Sequence, residues 1–112
     1  METSSKQLRI GLAGLGNVGS GVYKNLLLNR HILQERTGAH LKVTKIAVRD
    51  PGRKRDVDVS PEMLTTEWRE LIDDPQIDVI VELIGGHDEA FALITAALEA
   101  RKAVVTGNKA VL

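Results

Sequence analysis

The chain has 112 residues, 43% of them hydrophobic, which suits one folded domain with a modest core and argues against disorder. Its 15 basic and 15 acidic residues balance to a formal charge of zero, so no global charge draws it to nucleic acid or to an anionic membrane. Cysteine is absent and only 3% of residues are aromatic, which excludes disulfides, thiol nucleophiles and Cys-type metal sites and makes the core aliphatic. No metal site is expected, no apolar run approaches the roughly 18 residues of a membrane-spanning helix, and residues 1–7 read as a loose lead-in without an apolar signal core. These features suit a cytoplasmic protein.

Residues 8–27, LRIGLAGLGNVGSGVYKNLL, read as strand, glycine turn and helix in that order. The turn is a G-x-G-x-x-G over Gly14, Gly16 and Gly19. Gly14 permits the bend out of the strand, Gly16 lets a pyrophosphate approach the backbone, and Gly19 lets the helix lie close on the strand. The helix opens near Asn17 and Val18, whose N–H groups lack intrahelical partners and can point at an anion. The motif alone is weak evidence; its strand-turn-helix setting favours dinucleotide binding. This first helix is expected from about Asn17 to about Glu35, with a stop at Gly38 and with His31 a solvated histidine near its end.

A second strand is expected over residues 41–48, LKVTKIAV, ending at the turn signal Arg49-Asp50-Pro51-Gly52. In a βαβ unit this strand end reads the adenosine ribose: an acidic residue binds the 2′-hydroxyl of NAD, and an arginine accepts the 2′-phosphate of NADP. The sequence offers both, Arg49 and Asp50, and adds Arg53, Lys54 and Arg55. Charge logic favours NADP over NAD, with Arg49 as the reader. Residues 56–60 read as a loop or short edge strand, Ser60-Pro61 as a helix start, and Thr66 as the cap of a short helix from Glu67 to about Asp73. Trp68, Leu71 and Ile72 form its apolar edge, expected in the core rather than under an adenine.

Residues 77–84, IDVIVELI, read as a strand buried on both faces. Glu82 interrupts it and needs a partner; a satisfied structural carboxylate is favoured over a role in the ligand crevice. Gly85-Gly86 ends the strand, where a flat ligand ring can approach the main chain near Ile84 and Gly85. Asp88 and Glu89 suit the positive end of a following helix, with His87 a turn residue; its stripe is Ala90, Phe91, Ile94, Ala97 and Leu98, and it ends near Arg101-Lys102. Residues 103–106, AVVT, read as a fourth strand, and Ala110 onward as the start of another helix. Lys109, a cation placed awkwardly at a helix start, is the residue whose chemistry suits a reacting carbonyl or carboxylate.

Alternating strand and helix signals imply an α/β fold, a doubly wound parallel sheet with helices on both faces and strand order about 2-1-3-4. Ligands in such sheets bind beyond the carboxyl ends of the strands. The layout expected is pyrophosphate at Gly14 to Gly19, adenosine at Arg49, and nicotinamide near residues 84–86 and 106–109.

Four segments, GLGNVGSGV (14–22), AVRD (47–50), VELIGG (81–86) and VVTGNKAVL (104–112), closely resemble the Rossmann-type NAD(P)-binding domain of homoserine dehydrogenase. The resemblance covers residues 8–112; its later motifs are the specific ones, and its one small departure is Gly107, where the family more often has alanine. It implies an oxidoreductase that interconverts L-homoserine and L-aspartate 4-semialdehyde with NAD or NADP, in threonine and methionine biosynthesis. By the same analogy Asn17 and Val18 contact the pyrophosphate through backbone N–H, and Arg49 meets the ribose or its phosphate. Thr106, Asn108 and Lys109 lie by the nicotinamide and substrate. The principal acid/base residues of the family stand in a following substrate and dimerisation domain that nothing here matches. The expectation is therefore a cofactor module, inactive alone, of an enzyme whose full form is a homodimer. The alternatives are the cofactor domain of another amino-acid dehydrogenase, such as the aspartate dehydrogenase type, and a nucleotide-sensing module without chemistry.

Overall fold

The computed structural model describes residues 6–52, 58–84 and 87–107. Strand β1 (Lys6–Ala13) leads through the glycine turn into helix α1 (Asn17–Leu28) and helix α2 (Arg30–Thr37). Strand β2 (Ala39–Ala47) follows. After a single 3₁₀ turn at Pro61–Met63 come the two-residue strand β3 (Leu64–Thr65) and helix α3 (Arg69–Asp73). Strand β4 (Val79–Glu82), helix α4 (Asp88–Glu99) and strand β5 (Ala103–Thr106) complete the described elements.

All pairings are parallel, in the order β3-β2-β1-β4-β5. Its four longer strands keep the expected 2-1-3-4 arrangement, with the strand of Ile80 beside that of Leu12. The fifth is an addition at the edge: β3 pairs Leu64 with Ile46 and Thr65 with Ala47. The sequence offers a loop or a short edge strand at residues 56–60 instead, and residues 58–60 of that stretch belong to no strand. Two residues carry too little alternation to register as a strand, and β3 exists because β2 offers it a free edge.

The first helix also differs from the single span expected from Asn17 to Glu35. It breaks at Asn29, whose backbone (φ −109°, ψ 18°) leaves helical geometry. The Asn29 main-chain N–H still donates to the Asn25 carbonyl at 2.9 Å, and the Asn29 side-chain amide shares that acceptor at 3.1 Å, so the last bond of α1 is doubled where the backbone leaves the helix. Helix α2 then resumes and stops at Gly38 in the left-handed region (φ 72°), as expected. Ser60 and Thr66 do not act as side-chain caps: Ser60 precedes the 3₁₀ turn without a cap bond, and α3 starts after Trp68, beyond Thr66.

Alternation along the strands divides the core between the two faces of the sheet. On one face Leu12, Leu15, Tyr23, Ile46 and Val48 pack together beneath α1. On the other, Ala13, Ala47 and Ile80 of the strands pack against Leu71 and Ile72 of α3 and Leu93 and Ala97 of α4. The helices thus cover both faces, and the carboxyl ends of all five parallel strands gather at one edge. Among the described residues no helix is long and apolar enough to cross a membrane, and no group of three His, Cys, Asp or Glu side chains is placed to hold a metal ion.

Candidate cofactor site

The turn after β1 is shaped by what its glycines lack. Gly14 has φ +100°, a conformation L side chains rarely adopt, and a Cβ there would stand 2.7 Å from the Leu83 carbonyl oxygen. Its N–H donates to the Ala47 carbonyl at 2.9 Å, and Leu83 N–H donates to the Ala13 carbonyl at 2.8 Å. The turn is therefore clamped between the ends of β2 and β4. Gly19, one turn into α1, is buried, and a Cβ on it would be driven into the Gly14 carbonyl oxygen. Gly16 is different: it caps α1 from an exposed position, and a Cβ added to it meets nothing within 4 Å. Two glycines are needed by the fold, and the third faces open space. That space lies at the N-terminus of α1, where helix geometry leaves the first N–H groups, from Asn17 on, without intrahelical acceptors.

The open face of Gly16 belongs to a cleft of about 280 Å³ along the carboxyl edge of the sheet. Each neighbouring strand end contributes to its wall: Gly14, Leu15 and Gly16 after β1; Val48, Arg49 and Asp50 after β2; Thr66 after β3; Leu83 and Ile84 after β4. Trp68 closes one side and Glu89, in the first turn of α4, another. Of the residues singled out in the sequence, the structure brings Gly14, Gly16, Arg49 and Ile84 into this one wall, with Gly19 behind it. Thr106 stands off the wall, at the end of β5 opposite Glu82. Gly85, Asn108 and Lys109 lie outside the described residues, as do Arg53, Lys54 and Arg55 and the expected helix start at residues 110–112.

Arg49 projects into solvent at the cleft mouth, its side chain 83% exposed, and its Nη2 lies 3.3 Å from Glu89 Oε1. Asp50 turns one carboxylate oxygen back to accept from Gly52 N–H at 3.0 Å, an Asx turn that fixes the loop after β2. Trp68 meets the core expectation, since it packs against the Leu71 and Ile72 cluster, and it also walls the cleft. The Arg69 guanidinium sits 5.0 Å from the centre of its ring. His87 precedes α4 as a turn residue, stacked on Phe91.

Glu82 is fully buried and its carboxylate is satisfied. Ile84 N–H donates to Oε2 at 2.8 Å, the Thr106 hydroxyl bonds Oε1, and the Glu82 main-chain carbonyl accepts from Gly107 N–H at 3.1 Å. This carboxylate ties the exit of β4 to the exit of β5 and so sets the path of Leu83 and Ile84 along the cleft. It is the structural carboxylate the sequence favours.

Among the wall elements that sequence reading missed are Thr66, Trp68 and Glu89, beside the strand-end residues Leu15, Ala47, Val48 and Leu83. Thr66 and Trp68 enter because the unexpected β3 ends at the same edge. Glu89 enters because α4 begins there. Its acidic first turn was legible as helix capping, but its pairing with a residue 40 positions away was not.

A parallel sheet wound on both faces, with a glycine turn passing its first strand into a helix and a cleft over the strand ends, defines a dinucleotide-binding domain. Residues 14–112 match the family model described as the NAD-binding domain of homoserine dehydrogenase. The chain belongs to that family. It is 43% identical over 104 residues to homoserine dehydrogenase of Bacillus subtilis, a match covering 93% of this chain and 24% of that protein. The Pseudomonas aeruginosa homoserine dehydrogenase is 39% identical, over 96% of this chain and 24% of that protein. The crystal structure of the Staphylococcus aureus homoserine dehydrogenase at pH 7.5 superposes with a TM-score of 0.89 at 38% identity, covering 97% of this chain and 27% of that one. That of the Thiobacillus denitrificans enzyme gives 0.79 at 37% identity, over 93% and 24%. The chain thus spans about a quarter of the length of the relatives it matches.

Proposed function

We propose that this chain holds NAD(P) along the cleft, as the cofactor module of an enzyme interconverting L-homoserine and L-aspartate 4-semialdehyde. The observation that carries the reading is the open face of Gly16: the one turn glycine whose missing side chain the fold does not use points into a cleft that Arg49 also lines. The residues fit such a ligand. The first N–H groups of α1 suit a pyrophosphate, and Arg49 suits a ribose or its phosphate. The indole of Trp68 and the side chains of Leu83 and Ile84 give apolar walls to flat rings. When bound, the nicotinamide supplies hydride transfer; the part of this chain is to bind it, orient it and keep the ribose end in register.

Arg49 is the one cation among the described residues of the wall, and we assign it the 2′-phosphate, with NADP as the preferred cofactor. Gly85, Thr106, Asn108 and Lys109 are assigned to the nicotinamide and substrate side on the likeness of their segments to the family. Lys109 is the candidate among them for contact with the reacting group. The principal acid/base residues and the homodimer contacts are assigned to the larger part of the relatives that this chain does not span, in a cytoplasmic enzyme.

Parallel calorimetric titrations with NADPH and NADH test the reading. Trp68, the single tryptophan in the sequence, provides a second readout through its emission. Micromolar to submillimolar binding of NADPH with a change in Trp68 emission is expected. Binding of neither cofactor overturns the reading, and tighter NADH binding overturns the preference for NADP. Homoserine oxidation by this chain alone is expected to be absent; clear turnover overturns the division of labour.

A further inference from the structure

The Arg49–Glu89 pair crosses the mouth of the cleft. Arg49 leaves the end of β2 and Glu89 sits in the first turn of α4, which follows β4; these two strands flank β1. The pair therefore spans the opening above the glycine turn. It is made by one nitrogen and one oxygen at 3.3 Å rather than by a two-pronged fork, and both side chains are substantially exposed, 83% and 45%. Such a pair is weak and readily exchanged.

Its position makes it selective. A 2′-phosphate brings close to two negative charges to a guanidinium that Glu89 already holds. It must displace the carboxylate and then remain beside it, and like charges in contact repel. A ribose 2′-hydroxyl brings no charge and can donate to a carboxylate. Resting on the cofactor reading above, we infer that Glu89 is a specificity-determining residue: it holds Arg49 back from a 2′-phosphate and moves the cofactor balance toward NAD(H). Arg49 and Glu89 act together as a reader and its restraint. Asp88, the other acidic residue of the same first turn, faces His87 Nδ1 at 3.2 Å and is absent from the cleft wall.

The experiment titrates NADPH and NADH against the parent chain, Glu89→Gln, Glu89→Asp and Asp88→Asn. Exposed pairs of this kind correspond to factors of up to about five, and loss of the repulsion adds to this, so Glu89→Gln is expected to tighten NADPH about three- to tenfold at low salt. The gain should shrink toward 1 M salt, where the screening length is about 3 Å. NADH should move by less than about twofold in the unfavourable or neutral direction. Glu89→Asp keeps the charge but draws it back by one methylene, and its NADPH affinity should fall between those of the parent and Glu89→Gln. Asp88→Asn removes the same charge from the same helix end and should leave NADPH within about twofold of the parent.

Equal tightening by Glu89→Gln and Asp88→Asn overturns the inference, because general charge then accounts for it. So does an unchanged NADPH affinity in Glu89→Gln, or a parallel gain for NADH. In these cases the parent still binds cofactor and the functional reading stands. A parent that binds neither cofactor overturns both.

Discussion

Substituting alanine for Gly16 separates folding from binding at the glycine turn. Gly16 has φ −78° and ψ −155°, which alanine adopts, and the added methyl meets nothing within 4 Å. Replacing glycine at a compatible position stabilises by about 0.4–1 kcal/mol through the unfolded chain. Alanine is a poorer N-cap than glycine by an amount of similar size, roughly 0.5–1 kcal/mol. The two offset, so stability should stay within about 0.5 kcal/mol, or about 2–3 °C in thermal midpoint for a domain of this length. Binding should not survive as well. The methyl occupies the approach to the α1 N–H groups, and losing one hydrogen bond to a charged group, about 1.5–3 kcal/mol, weakens NADPH roughly ten- to a hundredfold. Thermal melts and calorimetry on the same preparation read both quantities. Unchanged affinity in a folded Gly16→Ala variant would refute the placement of the phosphate at this turn. Gly19→Ala supplies the contrast, since its methyl is driven into the Gly14 carbonyl oxygen and stands 3.0 Å from the carbonyl carbon, main-chain atoms that cannot step aside. Overpacking of that kind costs about 1–3 kcal/mol, or about 4–12 °C, before any ligand is added.

Arg49→Ala should weaken NADPH by tenfold or more while moving NADH by less than about threefold, measured by calorimetry, because only the phosphate needs the guanidinium. Glu82→Leu should lower the thermal midpoint by about 8–16 °C, since Ile84 N–H loses its acceptor and the Thr106 hydroxyl loses one, a cost of about 2–4 kcal/mol. Glu82→Gln retains an oxygen for Ile84 N–H and should recover more than half of that loss. Lys102→Met should cost about 1.5–3 kcal/mol in a denaturant melt without altering cofactor affinity. The Lys102 ammonium donates to the Asp74 and Ile77 carbonyls, both at 2.7 Å, on the loop entering β4, far from the cleft wall.

The glycine turn, the alternation of strand and helix and the stop at Gly38 were legible because each depends on residues close in sequence. Glycine spacing, apolar periodicity and a left-handed cap are local properties, and they fixed the parallel architecture and the end of the sheet where the cleft lies. The role of Glu82 was half legible: a carboxylate in an apolar run must find partners, but that they are Ile84 N–H and the Thr106 hydroxyl follows only from the pairing of β4 with β5. The break at Asn29 was missed because apolar periodicity does not register a change of backbone dihedrals at one polar residue.

What tertiary structure alone decided is which residues share the cleft. Strand β3 forms because β2 has an unoccupied edge, and with it Thr66 and Trp68 reach the wall. The three turn glycines look equivalent in the sequence, yet two are held by close main-chain contacts and one faces open space in the cleft. Arg49 and Glu89 meet because the strands before them lie on either side of β1. Local chemistry specifies the elements, whereas contacts between distant residues depend on how the elements order themselves in the sheet. Pairing between distant strands sets that order, so the cleft and its charges follow from the assembled sheet.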